Sequence, residues 1–230
     1  MSWLLRSAIA EFIGTFALIF IGAGSIVAAG IAGAAGGLVG VALAHGLTIA
    51  VMVSALGHVS GGHFNPAVTF GFLVTGRLSP ATCLVYWIAQ LLGGVAGGLA
   101  LLGTFPPDAI TAAGAGVPVL NGVNVVAGIA IEALLTFFLV TAVFGTAVDP
   151  RGPKVGGFGI GLTIALDILA GGPLTGASMN PARTFGPALA FNVWNDHLVY
   201  WIGPLIGGAL AALIYHHVLM PSPKEVAALQ

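Results

Sequence analysis

Charged residues are scarce in this 230-residue chain: 6% of its residues are Asp, Glu, Lys or Arg, and 58% are hydrophobic. Soluble domains carry about 25% charged residues, so this chain must place most of its surface in lipid. Its net charge of −1 lacks the positive excess that attracts nucleic acid, and we expect no such partner. Cys83 is the single cysteine, which excludes an intrachain disulfide and a cysteine-rich metal site.

The residue patterns that carry catalysis are also missing. The sequence contains no nucleophile–base constellation and no phosphate-binding glycine loop. His58 and His63 lie five residues apart in a glycine-rich stretch, which is not the spacing of one helical face. We therefore predict that the chain is not an enzyme and has no catalytic residue, metal site or cofactor.

Long apolar runs, by contrast, are abundant. A helix needs about 20 apolar residues to cross a membrane, and no small-residue cleavage site follows the first run, which we interpret as a retained span. The sequence predicts an all-α membrane protein with six transmembrane helices, at about 5–29, 36–56, 81–103, 124–147, 157–171 (a short one) and 197–219.

The positions of the basic residues support six spans. With six spans both termini lie on one side, and apart from Arg183 the other side has no Lys or Arg. Positive residues favour the cytoplasm, so we expect both termini to be cytoplasmic. The basic residues on the terminal side are Arg6, Arg77, Arg151, Lys154 and Lys224.

The chain contains an internal repeat. The segment 86–94 recurs as 200–208, Glu11 and Glu132 open similar apolar runs, and Asn-Pro-Ala occurs twice. Each repeat holds three spans, so the two halves enter the membrane from opposite faces, and the functional site of such inverted repeats lies near the midplane. We predict one domain over 1–230, with repeat one at about 4–103, a loop at 104–123, repeat two at 124–219 and a tail at 220–230.

The two Asn-Pro-Ala triplets predict two short helices. Asn is a favoured N-cap and Pro a favoured first helical residue, so helices begin at Asn65-Pro66-Ala67 and Asn180-Pro181-Ala182. Each apolar stretch runs about ten residues, or roughly 15 Å, which is half of the membrane. Two re-entrant half-helices then meet tip to tip. The alternative, that Asn-Pro only kinks two ordinary spans, is disfavoured by two copies at matching places in a repeat.

The segments before the triplets, 60–64 and 175–179, are glycine-rich and expected to be extended. Unpaired carbonyls at membrane depth are tolerated only beside protein or a water-filled cavity. We therefore predict a pore with the amides of Asn65 and Asn180 at its centre. The residues expected to line it through their carbonyl groups are Gly61, Gly62, His63, Gly176, Ala177 and Ser178.

Over nearly its whole length the chain resembles the aquaporin (major intrinsic protein) family. The resemblance rests on Ala10-Glu11-Phe12, Ser60 to Val68, Thr175 to Arg183 and Asp149-Pro150, and it is strongest to plant tonoplast intrinsic proteins, although a microbial homologue fits as well. It implies an hourglass fold, a pore through each protomer and a homotetramer in the lipid bilayer. It also implies that Glu11 and Glu132 hold the two half-helix loops by accepting hydrogen bonds.

The same resemblance places the four selectivity-filter positions of the family on His45, Ile168, Ala177 and Arg183. Strict water channels of the family have Phe and His at the first two of these positions. The set found here is similar to that of tonoplast channels, and implies passage of water together with ammonia, urea and hydrogen peroxide, with glycerol at the limit, and exclusion of protons and ions. The expected membrane is vacuolar in a plant and the inner membrane in a microbe.

Alternative interpretations remain open at this stage. Inverted repeats with broken helices also form alternating-access secondary transporters, and a junction-forming membrane protein with a nearly closed pore is a third class. Arg183 could form a salt bridge with Asp167 instead of facing the pore, and His45 could be an ordinary buried histidine. Asp167 itself could shape the outer mouth of the pore.

Overall fold

The computed structural model describes residues 1–31 and 37–221 and is helical. In this part of the chain, six helices are long and apolar enough to cross a membrane, which confirms the predicted count. They are α1 (Trp3–Ile31), α2 (Gly37–Ser60), α4 (Pro80–Thr104), α6 (Val125–Val148), α7 (Phe158–Thr175) and α9 (Val199–Leu219). We call the end of the bundle that carries residues 3 and 219 the terminal end, and the opposite end the distal end.

Two short helices supply the predicted half-spans. Helix α3 (Pro66–Val74) has nine residues and helix α8 (Pro181–Phe191) has 11, each about half the length that crosses a bilayer. A further short helix, α5 (Pro107–Ala112), and a 3₁₀ turn (Gly114–Gly116) lie in the connection between α4 and α6, which was predicted as a loop.

Side-chain caps begin most of these helices, because the first turn of a helix leaves backbone N–H groups without intrahelical partners. The Ser79 hydroxyl accepts from the N–H of Thr82 at 3.1 Å, and the Asn124 side chain accepts from that of Ala127 at 2.9 Å. Proline occupies the first helical position of α3, α4 and α8, where its missing N–H costs nothing.

Two predicted spans end later than expected. Helix α2 continues to Ser60, beyond the predicted 56, and the predicted short span 157–171 is an 18-residue helix that ends at Thr175. Pro173 lies in the last turn of this helix. The tail beyond 221, including Lys224, lies outside the described residues.

Each half-helix packs against the last span of the other repeat. Helix α4 contacts α1 and α8, while α9 contacts α6 and α3, and α2 packs along α7 between the repeats. Each half-helix is therefore packed by residues of both repeats.

Glycines on α4 and α9 allow these contacts at backbone distance. A Cβ atom at Gly94 would lie 2.7 Å from the carbonyl oxygen of Ala182 on α8, and one at Gly208 would lie 2.9 Å from that of Ala67 on α3. Gly93 faces the backbone of Phe12 on α1. The Gly-x-x-x-Gly pairs at 93–97 and 94–98 thus serve packing within the protomer.

The connection between α6 and α7 is tied to the end of α9. The Asp149 carboxylate accepts from the Arg151 guanidinium at 2.7 Å and from the Tyr215 hydroxyl at 3.3 Å. Arg151 also donates to the carbonyl of Leu219 at 2.7 Å. The hydrogen bonds from Arg151 lower the pKa of Asp149 from 3.8 to about 2.

A first prediction concerns the glycine contacts. Gly94→Ala should destabilise the protein by about 1–3 kcal/mol, because the added methyl group forces α4 away from α8. The matched control is Gly103→Ala on the same helix, where an added Cβ meets nothing within 4 Å, so it should be neutral or slightly stabilising. Thermal unfolding in detergent, followed by loss of the monodisperse chromatographic peak, compares the two. Equal melting temperatures would contradict the packing argument.

A second prediction concerns pH. Because Asp149 has a lower pKa in the folded protein than its usual 3.8, its contribution to stability is present above about pH 4 and is lost as the pH falls toward 2. Asp149→Asn should therefore lower the melting temperature at pH 7, and its difference from the unsubstituted protein should shrink between pH 5 and pH 2.5. The control is Asp108→Asn at an exposed position on α5. A pH-independent difference would show that the charge of Asp149 is not what stabilises this end.

Candidate functional site

The two half-helices meet at their N-terminal asparagines. Each Asn caps its own helix through Oδ1, which accepts from the N–H of Ala67 at 2.8 Å or of Ala182 at 3.0 Å. The amide nitrogens cross between the halves: Asn65 donates to the carbonyl of Met179 at 2.8 Å, and Asn180 donates to that of Phe64 at 2.9 Å. A side-chain amide has two N–H groups, so each Asn keeps one for another acceptor.

The segments before the half-helices differ from the extended conformation expected for them. Ser60 and Thr175 are the last residues of α2 and α7, and several residues that follow have positive φ. These left-handed residues turn the chain back toward the midplane in a short distance. They are Gly61, Gly62 and Phe64 in the first segment, and Gly176, Ala177 and Met179 in the second.

The turned segments leave six carbonyl groups unpaired. Within residues 1–31 and 37–221, no hydrogen bond reaches the carbonyl oxygens of Gly61, Gly62, His63, Gly176, Ala177 and Ser178. The carbonyls on either side are bonded: Tyr86 and Tyr200 donate their hydroxyls to Ser60 at 2.7 Å and to Thr175 at 2.9 Å. The unpaired carbonyls belong to the six residues expected to present them to a pore.

Glu11 holds the first of these segments. Its carboxylate accepts from the Ser60 hydroxyl at 2.7 Å, from the backbone N–H of His63 at 2.9 Å and from that of Phe64 at 2.6 Å. The side chain of Gln90 adds a fourth bond at 2.7 Å. A fully buried carboxylate needs such donors, and here they also fix the backbone before Asn65.

Glu132 repeats this arrangement in the second half. It accepts from the Thr175 hydroxyl at 2.7 Å and from the N–H groups of Ser178 at 3.0 Å and Met179 at 2.7 Å. The position that matches Gln90 in the repeat is Pro204, which has no donor. The two carboxylates are therefore equivalent in their backbone contacts and differ in one side-chain contact.

Some supporting residues were missed by the sequence analysis. The recurring segments 86–94 and 200–208 contain Gln90, Tyr86 and Tyr200. A polar side chain in an apolar span was the signal that could have marked them as supporting residues. The carbonyl of Gly116, which binds Arg183, lies in a connection with no recognisable motif.

A cavity lies beside the half-helix tips. One side of it is apolar, formed by residues such as Ile49, Val143 and Ile160. The other side carries both asparagines and the turned segments. Of the residues predicted to form the pore, the cavity is lined by His45, Gly62, His63, Asn65, Ile168, Ala177, Ser178, Asn180 and Arg183. Gly61 is not among them, and Gly176 lines a different cavity.

All four predicted filter residues lie on this cavity, and two of them are bonded to each other. The guanidinium of Arg183 approaches Nε2 of His45 at 3.1 Å and donates to the carbonyl of Gly116 at 2.8 Å. Nδ1 of His45 lies 2.8 Å from the carbonyl of Val41. A carbonyl only accepts, so Nδ1 carries the proton and Nε2 accepts from Arg183. His45 thus lines the cavity and is bonded to Arg183, so it is not an isolated core histidine.

Arg183 separates the first cavity from a second one at the distal end. The second cavity is lined by Arg183, Gly176 and residues of the α5–α6 connection such as Pro118. The N–H at Nε of Arg183 is buried and has no partner among the described residues. The guanidinium of Arg183 is therefore held by two acceptors, the carbonyl of Gly116 and Nε2 of His45.

Asp167 does not pair with Arg183, which was one of the two roles considered for it. It forms no salt bridge with Arg183 in the described part of the chain, and it is absent from the lining of both cavities. Its side chain is buried, and its Oδ2 has no hydrogen-bond partner there. A role of Asp167 at the outer mouth of the pore stays a prediction.

His63 and His216 have partners within the chain. Nδ1 of His63 lies 3.1 Å from the Thr69 hydroxyl, and His216 lies at the terminal end beside Arg77. Across residues 1–31 and 37–221, no group of three His, Cys, Asp or Glu side chains is placed to hold a metal ion.

A third prediction compares the buried carboxylates of two neighbouring helices. Glu132→Gln replaces an acceptor oxygen by an NH₂ group that faces N–H donors, and each lost bond to a charged group is worth about 1.5–3 kcal/mol. We expect a large fall in the yield of folded protein and in its melting temperature. Asp167→Asn removes an unbonded buried carboxylate and should be neutral or stabilising. Comparable losses in both variants would show that burial alone, and not the bonds to the second loop, explains the effect.

Comparison with known proteins agrees with this geometry. The family model described as Major intrinsic protein matches residues 1–215. Aquaporin TIP4-4 of Zea mays is 51% identical over 96% of this chain and 92% of its own length, and Probable aquaporin TIP3-2 of Arabidopsis thaliana is 46% identical over 96% and 86%. The aquaglyceroporin structure from Plasmodium falciparum has a TM-score of 0.80 and 22% identity, and covers 99% of this chain and 100% of its own. The last of these supports the fold, and together the matches show that the chain belongs to the major intrinsic protein (aquaporin) family of membrane channels.

Proposed function

We propose that this passive water channel also conducts small neutral solutes, namely ammonia, urea and hydrogen peroxide, with glycerol at the size limit, and that it excludes protons and ions. The observation that carries the proposal is the cavity beside the half-helix tips, with polar groups along one side, an apolar wall along the other and Arg183 at one end. Family members are channels and not enzymes.

Neutral permeants are matched by the polar side of the cavity. Unpaired carbonyls accept hydrogen bonds from a permeant, and the free N–H groups of Asn65 and Asn180 donate to it. A neutral molecule replaces its bonds to water one by one along such a path. The apolar wall offers no competing partners, so no single position holds the permeant strongly.

Cations are disfavoured by charge. The N-terminal ends of α3 and α8 carry the positive ends of their helix dipoles, and both point to the midplane. Arg183 adds a fixed positive charge between the two cavities. A cation or hydronium ion meets repulsion at both places and receives no compensation for its lost hydration.

The four proposed filter residues support a passage wider than that of a strict water channel. Ile168 contributes an apolar wall where such channels carry a polar ring, and Ala177 contributes a small side chain. The bond between His45 and Arg183 draws both polar groups to one side of the cavity. These features favour solutes slightly larger than water.

The alternative of a coupled transporter has little support. An ion-coupled carrier needs a carboxylate that can bind or release the coupling ion, and Glu11 and Glu132 are the candidates nearest the turned loops. Their oxygens are already occupied by hydrogen bonds from the loops. A junction-forming role also stays open to test, since it predicts weak conductance through the same fold.

The remaining assignments also belong to this proposal. The chain is an integral multi-pass membrane protein, and we place both termini in the cytoplasm and the protein in the vacuolar membrane of a plant or the inner membrane of a microbe. We assign one channel domain to 1–230, with repeats at about 4–103 and 124–219. A homotetramer is supported by membership of the family.

Stopped-flow light scattering of reconstituted vesicles tests the proposal. A channel gives fast osmotic water flux with low activation energy, and urea flux that does not saturate. Saturable uptake driven by a proton or sodium gradient would instead establish the transporter. Water flux no faster than that of empty vesicles would favour the junction-forming class.

A fourth prediction addresses the filter. His45→Phe with Ile168→His should lower urea and ammonia flux by about tenfold or more while water flux is retained, because the larger ring and the added polar group narrow the passage. The control is Ile88→Phe on the exposed side of α4, which should change neither flux. Unchanged solute selectivity in the double variant would remove these two residues from the filter.

A further inference from the structure

Helix α1 changes its winding where it passes the proposed filter. Residues Leu18–Ala23 form a π-helical turn between two α-helical stretches of the same span. The other π-helical turns described, Phe144–Val148 and Tyr215–Leu219, lie at helix ends. Wide turns inside an α-helix are rare and are frequent at functional sites.

Gly22, in this turn, lies directly against the ring of His45. A Cβ atom at Gly22 would lie 2.6 Å from both Cδ2 and Nε2 of that ring. Nε2 is the atom that accepts from Arg183, at 3.1 Å. The absence of a side chain at position 22 therefore sets how far the His45 ring, and the guanidinium bonded to it, can withdraw toward α1.

The next residue of the turn supports the second acceptor of Arg183. A Cβ atom at Gly116 would lie 2.8 Å from the Cβ of Ala23. The carbonyl of Gly116 accepts from Arg183 at 2.8 Å. Two consecutive residues of α1, Gly22 and Ala23, thus pack against His45 and Gly116, which supply the two acceptors that bind Arg183.

We infer that Gly22 is a positioning residue that sets the aperture of the channel by holding His45 and Arg183 back against α1. This inference rests on the proposed function, because it concerns which solutes pass the same filter. A methyl group at position 22 would push the ring away from α1 and into the passage. This narrowing should reduce the permeability to solutes larger than water, because such solutes need the full width of the passage at the filter.

The experiment measures the urea-to-water permeability ratio of reconstituted vesicles with equal protein content. Gly22→Ala should lower the ratio by about tenfold, the discrimination expected from one methyl group in a tight passage. The matched control is Gly30→Ala on the same span, where an added Cβ meets nothing within 4 Å, and it should keep the ratio of the unsubstituted channel. A parallel fall of both fluxes, or an unchanged ratio, would overturn the inference.

A second pair of variants tests the support behind Gly116. Gly116 and Gly114 both have positive φ, of 66° and 57°, but only Gly116 has neighbours within 4 Å of an added Cβ. Because backbone strain is matched, Gly116→Ala should lower the ratio while Gly114→Ala should not. Equal urea-to-water permeability ratios in the two variants would show that the contact between Ala23 and Gly116 does not help to position Arg183.

A double-mutant cycle shows whether Gly22 acts through His45. In a His45→Ala background the ring is absent, so adding Gly22→Ala should no longer change the ratio, and the two effects should be non-additive. Additive effects would mean that position 22 acts by another route. Absence of osmotic water flux in the unsubstituted protein would refute the proposed function itself, which separates that failure from failure of this inference.

Discussion

The fold depends on the satisfaction of two stretches of non-helical backbone in the middle of a membrane. An unbonded peptide group in hydrocarbon is costly, so irregular backbone survives there only with fixed partners. Glu11 and Glu132 provide these partners by accepting from consecutive backbone N–H groups before each half-helix. With the N–H groups bonded to protein, the carbonyls are the groups left over. The same constraint that stabilises the loops therefore produces a row of acceptors along the cavity.

The two halves are alike in their supports and unlike in their lining. Glu11 matches Glu132, and Tyr86 matches Tyr200. Three residues after each asparagine, however, the first half has Val68 and the second has Arg183, and both side chains line the cavity. A duplicated scaffold thus carries a charge near one end only. The matched residues of the two repeats hold the loops beside the cavity. The proposed selectivity depends on a position at which the repeats differ, that of Val68 and Arg183.

Much of this architecture could be predicted because it follows from local chemistry. Asn-Pro-Ala specifies a helix start, and the lengths of the apolar runs specify spans and half-spans. The left-handed backbone at Phe64 and Met179 was not predicted, because such residues rarely adopt positive φ and here long-range bonds to the glutamates hold them there. The bond between Gly116 and Arg183 spans 67 residues, and no local pattern marks it. The late end of α7 was not predicted: the helix continues through Pro173 to Thr175.

The pattern of hydrogen bonds also bears on how the molecule can move. Alternating access requires one repeat to rock against the other around the site. Here Asn65 and Asn180 each donate to a carbonyl of the opposite repeat, and α4 and α9 meet the opposite half-helices at backbone distance. Rocking would break these bonds and leave buried groups unpaired at about 1–3 kcal/mol each, with no second set of partners in the described structure. A protein with one such arrangement is suited to a permanently formed passage, whose selectivity must come from fixed geometry and charge.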